Sequence, residues 1–321
     1  MMGSFYDQRV NLSRGNTVDP TDLPDVVLVF GGDGSVHRVL SALAHSETPL
    51  LVVPVGSAND FARCLGIRNL RDAQTAWKRF LDQGDNVRTI DLGTVHPMSD
   101  PSPPDGPARP DTTTLADAEG RIPPLPNPLA PLIMQRNLHL AEESTGEQRL
   151  IFFTGIAGLG LDAETNRIAA TMPGWLRRHG GYALAALRAL AHYRASCLCL
   201  HSFTPSGRET SFESPMLFAA IGNAPEYGSG MRMLPQAQLD DGELDLCFVP
   251  ELPRWRVLWN LPRIYTGTHL RVPEVRYLHA SQVFVESDEP LPLYADGEYL
   301  CQTPVEIAVA PRALKVIVPE P

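Results

Sequence analysis

Residues 26–35 read Val-Val-Leu-Val-Phe-Gly-Gly-Asp-Gly-Ser. The unbroken apolar run Val26 to Phe30 marks a strand buried on both faces, as in a parallel sheet. After the glycine-rich turn, Val36, Val39, Leu40 and Leu43 recur at i, i+3, i+4 and i+7, which predicts a helix from about Ser35. Leu50 to Pro54 predicts a second buried strand. Ala73, Ala76, Trp77, Phe80 and Leu81 then carry helical spacing over 72–82, and Gly84 stops it. Strand, helix, strand, helix is the α/β doubly wound pattern.

The character changes beyond Asp91. Residues 97–131 hold eleven of the chain's 30 prolines. Proline removes a backbone donor and fixes φ, so this stretch is neither helix nor central strand. Residues 97–147 are predicted to be a disordered insertion. From residue 150 β-runs dominate, at 150–154, 196–203, 216–222, 244–249, 282–286, 304–309 and 314–318. Helical patterns interrupt them at 174–194 and 254–265. The expected organisation is an α/β domain over 1–90 and a β-rich domain over 91–321 carrying the insertion, with the last strands able to return to the first domain.

The chain has 321 residues with 27 Lys+Arg against 37 Asp+Glu, a net charge of −10, and is 43% hydrophobic. Length and apolar content suit two folded domains. The acidic balance argues against a nucleic-acid binder, which needs a basic footprint, and against unassisted docking on anionic membranes. Five cysteines (Cys64, Cys197, Cys199, Cys247, Cys301) are too few for a disulfide scaffold and read as free thiols in a reducing compartment. No signal-peptide pattern or membrane-span-length apolar run is visible, so a cytoplasmic protein is expected.

Two loops carry chemistry. Gly31-Gly32-Asp33-Gly34-Ser35 lies between a buried strand and a helix, where glycines let backbone approach a phosphate and the helix N-terminus offers free N–H groups. Asp33 beside phosphates makes sense if a divalent metal bridges them. A tight turn with an N-cap is the plainer alternative. Pro54-Val55-Gly56-Ser57-Ala58-Asn59-Asp60-Phe61-Ala62-Arg63 follows the second strand, so both loops reach one crevice at the carboxyl ends of the strands. Ser57 can hydrogen-bond a phosphate and Asp60 can join Asp33, although Asn59-Asp60 also reads as a helix cap.

These motifs resemble the catalytic domain of the diacylglycerol kinase and sphingosine kinase superfamily, closest to the bacterial soluble lipid kinases. The similarity runs on through Ile90-Asp91-Leu92-Gly93, Phe152 to Asp162, Gly222-Asn223-Ala224, Met231 to Asp245, Glu286 to Pro290 and Tyr294-Ala295-Asp296-Gly297-Glu298. The resemblance implies an α/β nucleotide domain followed by a β-sandwich-like lipid domain. ATP would be held by Gly31, Gly32, Asp33, Gly34, Ser35, Val36, His37, Gly56, Ser57 and Asn59. Asp33, Asp60 and Asp91 would form an acidic network positioning metal and phosphates, and Glu298 would be the general base toward a lipid hydroxyl. Magnesium would bind at Gln238, Asp241 and Glu243, the first and last through backbone carbonyls. Residues 222–233, with Tyr227, would line the lipid cleft. Without the resemblance, Asp296-Gly297 and Asp241-Gly242 read as hairpin turns.

The implied activity is ATP- and Mg²⁺-dependent phosphorylation of a hydroxyl of diacylglycerol or a related lipid. The rivals are an NAD kinase or phosphofructokinase-like phosphotransferase, and an inactive nucleotide- or lipid-binding relic. The relic reading is motivated by the N-terminus. Family members begin with a strand, an Asn-Pro-x-(Ser/Ala)-Gly loop, a helix and another strand, whereas only 24 residues precede Asp25 here. The expectation is therefore a truncated first domain with an open sheet edge. The implied partners are a lipid substrate and a transient contact with the inner membrane surface, with a homodimer allowed. Trp175-Leu176-Arg177-Arg178-His179 and Arg254-Trp255-Arg256-Val257-Leu258-Trp259 pair aromatic with basic residues, as an interface would require. Amphipathic helices packed on the sheet would read the same way.

Overall fold

The computed structural model describes residues 23–56, 58–98, 150–172, 181–228 and 230–320. The expected insertion (apart from 97–98), Ser57 and the Trp175–His179 stretch lie outside the described residues.

The first layer follows the hydrophobic pattern. Strands β1 (Val27–Gly31) and β2 (Leu50–Pro54) pair in parallel from Val27↔Leu50 to Gly31↔Pro54, so their carboxyl ends finish level. Helix α1 (Asp33–Leu43) buries Val36, Val39, Leu40 and Leu43, and starts two residues earlier than the periodicity suggests. A short α2 (Asp60–Cys64) precedes α3 (Leu70–Asp82). The Asn69 side chain caps α3 by accepting from the N–H groups of Arg71 and Asp72. Ala73, Ala76 and Trp77 are buried and Phe80 packs at the edge of the core, but Leu81 is exposed. The buried stripe of α3 is therefore one residue narrower than its periodicity implies.

The β-rich part comprises β3 (Val87–Pro97), β4 (Ile151–Phe153), β5 (Ile156–Gly160), β6 (Ser196–Phe203), β7 (Glu209–Gly222), β8 (Leu244–Pro250), β9 (Arg276–Ala280), β10 (Gln282–Ser287), β11 (Pro292–Ala295), β12 (Glu298–Gln302) and β13 (Val305–Ile317). Helices α4 (Leu161–Ala170), α5 (Tyr182–His192) and α6 (Arg254–Thr266) and a 3-10 turn (Thr268–Arg271) complete the described elements. In β6 the side chains of Leu198, Leu200 and Ser202 face inward, and those of Cys197, Cys199 and His201 face outward. All five cysteines are free.

Strand β13 organises the remainder. It runs antiparallel to β3 from Val305↔Pro97 to Ile317↔Val87, pairs with β10, and meets β2 in parallel at Val316↔Leu50. The runs 304–309 and 314–318, expected as two strands, are one strand interrupted between Ala310 and Leu314. The interruption has a cause. Arg312 takes φ 52°, and its N–H points at the carboxylate of Asp91. Ala310, Leu314, Val316 and Ile317 join the core under β1 and β2, while Val305 and Ile307 join the core between the β-rich strands.

Asp91 is 1% exposed. Its Oδ1 accepts from Arg312 N at 2.6 Å and its Oδ2 from Gly242 N at 2.7 Å. Its own N–H donates to Leu239 O, and Asn223 Nδ2 donates to Asp91 O. Asp91→Ala would leave two backbone donors without acceptors, at about 1–3 kcal/mol each. Urea unfolding should therefore show a loss of about 2–5 kcal/mol. A loss below about 1 kcal/mol would refute a holding role for this carboxylate.

Candidate active site

The parallel register of β1 and β2 brings the Gly31–Ser35 and Val55–Asn59 loops together. Val55 N and Gly56 N both donate to Gly31 O, at 3.1 and 3.3 Å. The contact is backbone on backbone. A Cβ on Gly56 would stand 2.6 Å from Gly32 Cα, so no larger residue fits there. Asn59 adopts φ 55° and clasps Gly56 with two hydrogen bonds, Gly56 N to Oδ1 at 3.0 Å and Nδ2 to Gly56 O at 3.1 Å. Ser35 Oγ fills the space a Cβ on Gly31 would need, and Val36 is buried on the core side of α1. Among the described residues no side chain caps α1; the N–H groups of Ser35 and Val36 donate to Gly32 O, and those of Asp33 and Gly34 precede the first intrahelical bond.

Asp33 and Asp60 are brought together, in an arrangement the motif spacing does not reveal. The Asp33 carboxylate accepts from Asp60 N at 3.1 Å and Phe61 N at 3.0 Å, and so caps α2. Asp60 in turn bonds Arg63 and accepts from Gly228 N at 2.8 Å. Arg63 also donates to Ala58 O and lies 3.5 Å from Glu226. Both acids thus stitch loops: Asp33 ties the first loop to the second, and Asp60 ties the second to the 223–233 segment. Asp91 is not part of this pair and holds the Gly242 turn instead.

Glu298 arrives from the far end of the chain. Asp296 (φ 52°) and Gly297 (φ 82°) form the turn between β11 and β12, so the hairpin reading of this motif also holds. The Asp296 carboxylate accepts from Thr154 N, Thr154 Oγ1 and Gly155 N at 2.8–3.0 Å, which pins the turn on the β4–β5 connection. Glu298, the next residue but one, is exposed and reaches α1. Its Oε1 would lie 3.0 Å from a Cβ placed on Gly34. Burial pushes the Asp296 carboxyl up, while the Thr154 donors and the nearby His37 pull it back. His37 lies on α1, and its Nδ1 is buried with no hydrogen-bond partner among the described residues.

The turn holding Gln238, Asp241 and Glu243 is built from oxygen donors. Gln238 and Asp241 are exposed, and Asp241 Oδ1 accepts from Glu243 N at 3.1 Å. Next to them Asp245 is fully buried, with Oδ1 bonded to Tyr277 and Oδ2 without a partner among the described residues. Oxygen ligands suit a hard cation that keeps much of its water. No three His, Cys, Asp or Glu side chains are grouped as ligands among the described residues.

With this geometry in view, residues 16–95 match the diacylglycerol kinase catalytic domain, and residues 155–318 match the YegS C-terminal NAD kinase beta sandwich-like domain. The chain belongs to the family of diacylglycerol kinase and YegS-like lipid kinases. A Mycobacterium tuberculosis (strain H37Rv) protein named diacylglycerol kinase is 28% identical over 295 residues, 92% of this chain and 77% of that protein. A Bacillus subtilis (strain 168) diacylglycerol kinase is 23% identical over 306 residues, 92% of this chain and 78% of that one. A crystal structure of a diacylglycerol kinase from Bacillus anthracis str. Sterne shares the fold, with TM-score 0.54, 16% identity and coverage of 92% and 76%.

In this lipid kinase family member the pairing of Tyr227 with Asp162 escapes motif reading, because it is made by tertiary contact. Tyr227 donates its hydroxyl to Asp162 Oδ1, in the first turn of α4. Asp162 is buried, and desolvation pushes its carboxyl up from the ordinary 3.8 to about 6, partly offset by Tyr227. The folded state thus holds this proton more tightly than the unfolded chain does. Stability from this group is full below about pH 4 and falls as pH rises to about 6, by on the order of 3 kcal/mol. Asp162→Asn, whose amide oxygen can still accept from Tyr227, should remove that dependence. Its stability relative to wild type should climb between about pH 4 and 6 in urea melts. Parallel pH profiles would show that Asp162 is not desolvated.

Proposed function

We propose that this chain transfers the γ-phosphate of ATP, with Mg²⁺, to a hydroxyl of diacylglycerol or a closely related lipid. The observation that carries the reading is the approach of Glu298 to Gly34. A carboxylate from the β11–β12 hairpin reaches the glycine loop at the uncapped start of α1. Backbone N–H groups there would hold phosphate oxygens, and Gly32 and Gly56 pack so closely that a Cβ on Gly56 would not fit between the loops. Bound nucleotide and cation supply the phosphoryl group and the charge that neutralises it.

The chain's own residues supply position and proton transfer. Glu298 takes the proton of the acceptor hydroxyl as the new oxygen–phosphorus bond forms and the bond from the γ-phosphorus to the bridging oxygen breaks, releasing ADP. Asp296, held by Thr154 and Gly155, is the positioning residue that fixes the hairpin carrying Glu298. Asp33 and Asp60 keep the nucleotide loops and the 223–233 segment in register, and α2 presents Asn59 beside Gly56. Gln238, Asp241 and Glu243 would hold magnesium through oxygen.

The test is γ-phosphate transfer from labelled ATP to diacylglycerol in mixed micelles with Mg²⁺, with NAD as a competing acceptor. Glu298→Gln should lower kcat by about 10²–10⁴-fold while Mg-ATP still raises Tm. Asp296→Asn should lower kcat less, with little change in the KM for ATP. Labelled NAD without labelled lipid would overturn the reading.

A further inference from the structure

We propose that the solvent face of α6 docks the protein on a bilayer carrying anionic headgroups. The helix reads Arg-Trp-Arg-Val-Leu-Trp-Asn-Leu-Pro-Arg-Ile-Tyr-Thr and has no buried residue. Its inner side is set by Val257 and Ile264, which pack against a buried cluster containing Leu217, Phe218, Met233 and Leu234. At 100° per residue, Trp255, Leu258, Trp259 and Pro262 fall on the opposite side, at i, i+3, i+4 and i+7. Trp255 is 68% exposed, Leu258 44% and Trp259 77%. Two tryptophans held this far into water form an apolar ridge with no covering element among the described residues.

Charge identifies the occupant. The helix carries three arginines and no acidic residue, in a chain of net charge −10. Arg256 is bound to Glu274 at 2.7 Å. Arg254 and Arg263 have no ion-pair partner among the described residues and flank the ridge on its two sides. Indole rings favour the headgroup level of a bilayer, and arginines beside them reach lipid phosphates. A second copy of this chain is disfavoured, because a two-fold contact through this ridge would bring the same arginines face to face.

Position gives the contact a purpose, and here the inference rests on the lipid kinase reading. Arg232 N donates to Ile264 O at 3.0 Å, which ties the end of α6 to the 223–233 segment. That segment carries Tyr227, and Gly228 N is held by Asp60. A bilayer lying on α6 would thus be about one helix diameter, roughly 10 Å, from the segment bonded to the second nucleotide loop.

The experiment is co-sedimentation of the full chain with vesicles of phosphatidylglycerol and phosphatidylcholine, or of phosphatidylcholine alone. The variants are Trp255→Ala/Trp259→Ala and Arg254→Glu/Arg263→Glu, each checked by thermal melt. Wild type should bind the anionic vesicles, more weakly at high salt. Either double variant should cut partitioning by on the order of tenfold or more. Phosphorylation of a water-dispersed short-chain diacylglycerol, measured without vesicles, should be unchanged in both. Absence of wild-type binding, or equal binding by folded variants, overturns the proposal. So does a dimer that the tryptophan variant dissolves while vesicle binding persists. Variant-sensitive vesicle binding without kinase activity would leave the docking face standing and remove the lipid kinase reading instead.

Discussion

A single buried carboxylate, that of Asp91, holds three distant segments at one point. Its oxygens are taken by the N–H groups of Gly242 and Arg312, from the 238–243 turn and from the interruption in β13. Burying a carboxylate is costly unless strong donors replace its water, and two short charge-assisted bonds do so here. The bond to Arg312 sets where β13 breaks its ladder with β3. Beyond that break the strand can pair with β2 as well. One continuous strand then contributes to the core beneath the two glycine-containing loops and to the core of the β-rich part. The Gly31–Ser35 loop and the hairpin carrying Glu298, more than 260 residues apart in sequence, therefore belong to one hydrogen-bonded framework.

The same physics recurs around the site. Asp33 caps α2, Asp60 caps the peptide at Gly228, and Asp296 caps the peptides at Thr154 and Gly155. In each case a carboxylate takes backbone donors that a loop cannot satisfy for itself. Loops rich in glycine offer phosphate-sized access but little stiffness, and cross-loop caps supply the stiffness without filling the space. Acidic residues that motif reading assigns to metal and phosphate thus also serve as structural clamps. Asp91 departs furthest from that assignment, since both its oxygens are committed to backbone.

How much was legible varies with the signal. β1, α1 and β2 were readable because they are buried on one side or both and carry unbroken apolar patterns. β3, β5, β11 and β12 were not. β3 buries Asp91 and Thr94 among its apolar residues, β5 is Ile-Ala-Gly-Leu-Gly, and the last two are short and half-polar. Their strand state comes from partners rather than from period-two patterning. Gly93 and Gly158 show the reason: the Phe153 ring and the Asp162 carboxylate occupy the space where their side chains would be. Leu81 failed in the other direction, since helical spacing alone cannot say how wide a stripe the neighbouring sheet will cover.

By itself the sequence determined the order of elements in the α/β part, the two glycine loops after buried strands, and the ordered motifs that mark the family. These are local properties, set by hydrophobic period, by turn residues and by spacing along the chain. Only the tertiary structure decided which carboxylate meets which loop. It placed Glu298 beside Gly34, gave Asp33 and Asp60 to capping, drew Asp91 away to the Gly242 turn, and left Trp255 and Trp259 facing outward from α6. Those outcomes depend on strand pairing between residues far apart in sequence. Hydrogen-bond partners and burial are set by the neighbours a residue meets in space, which no local pattern encodes.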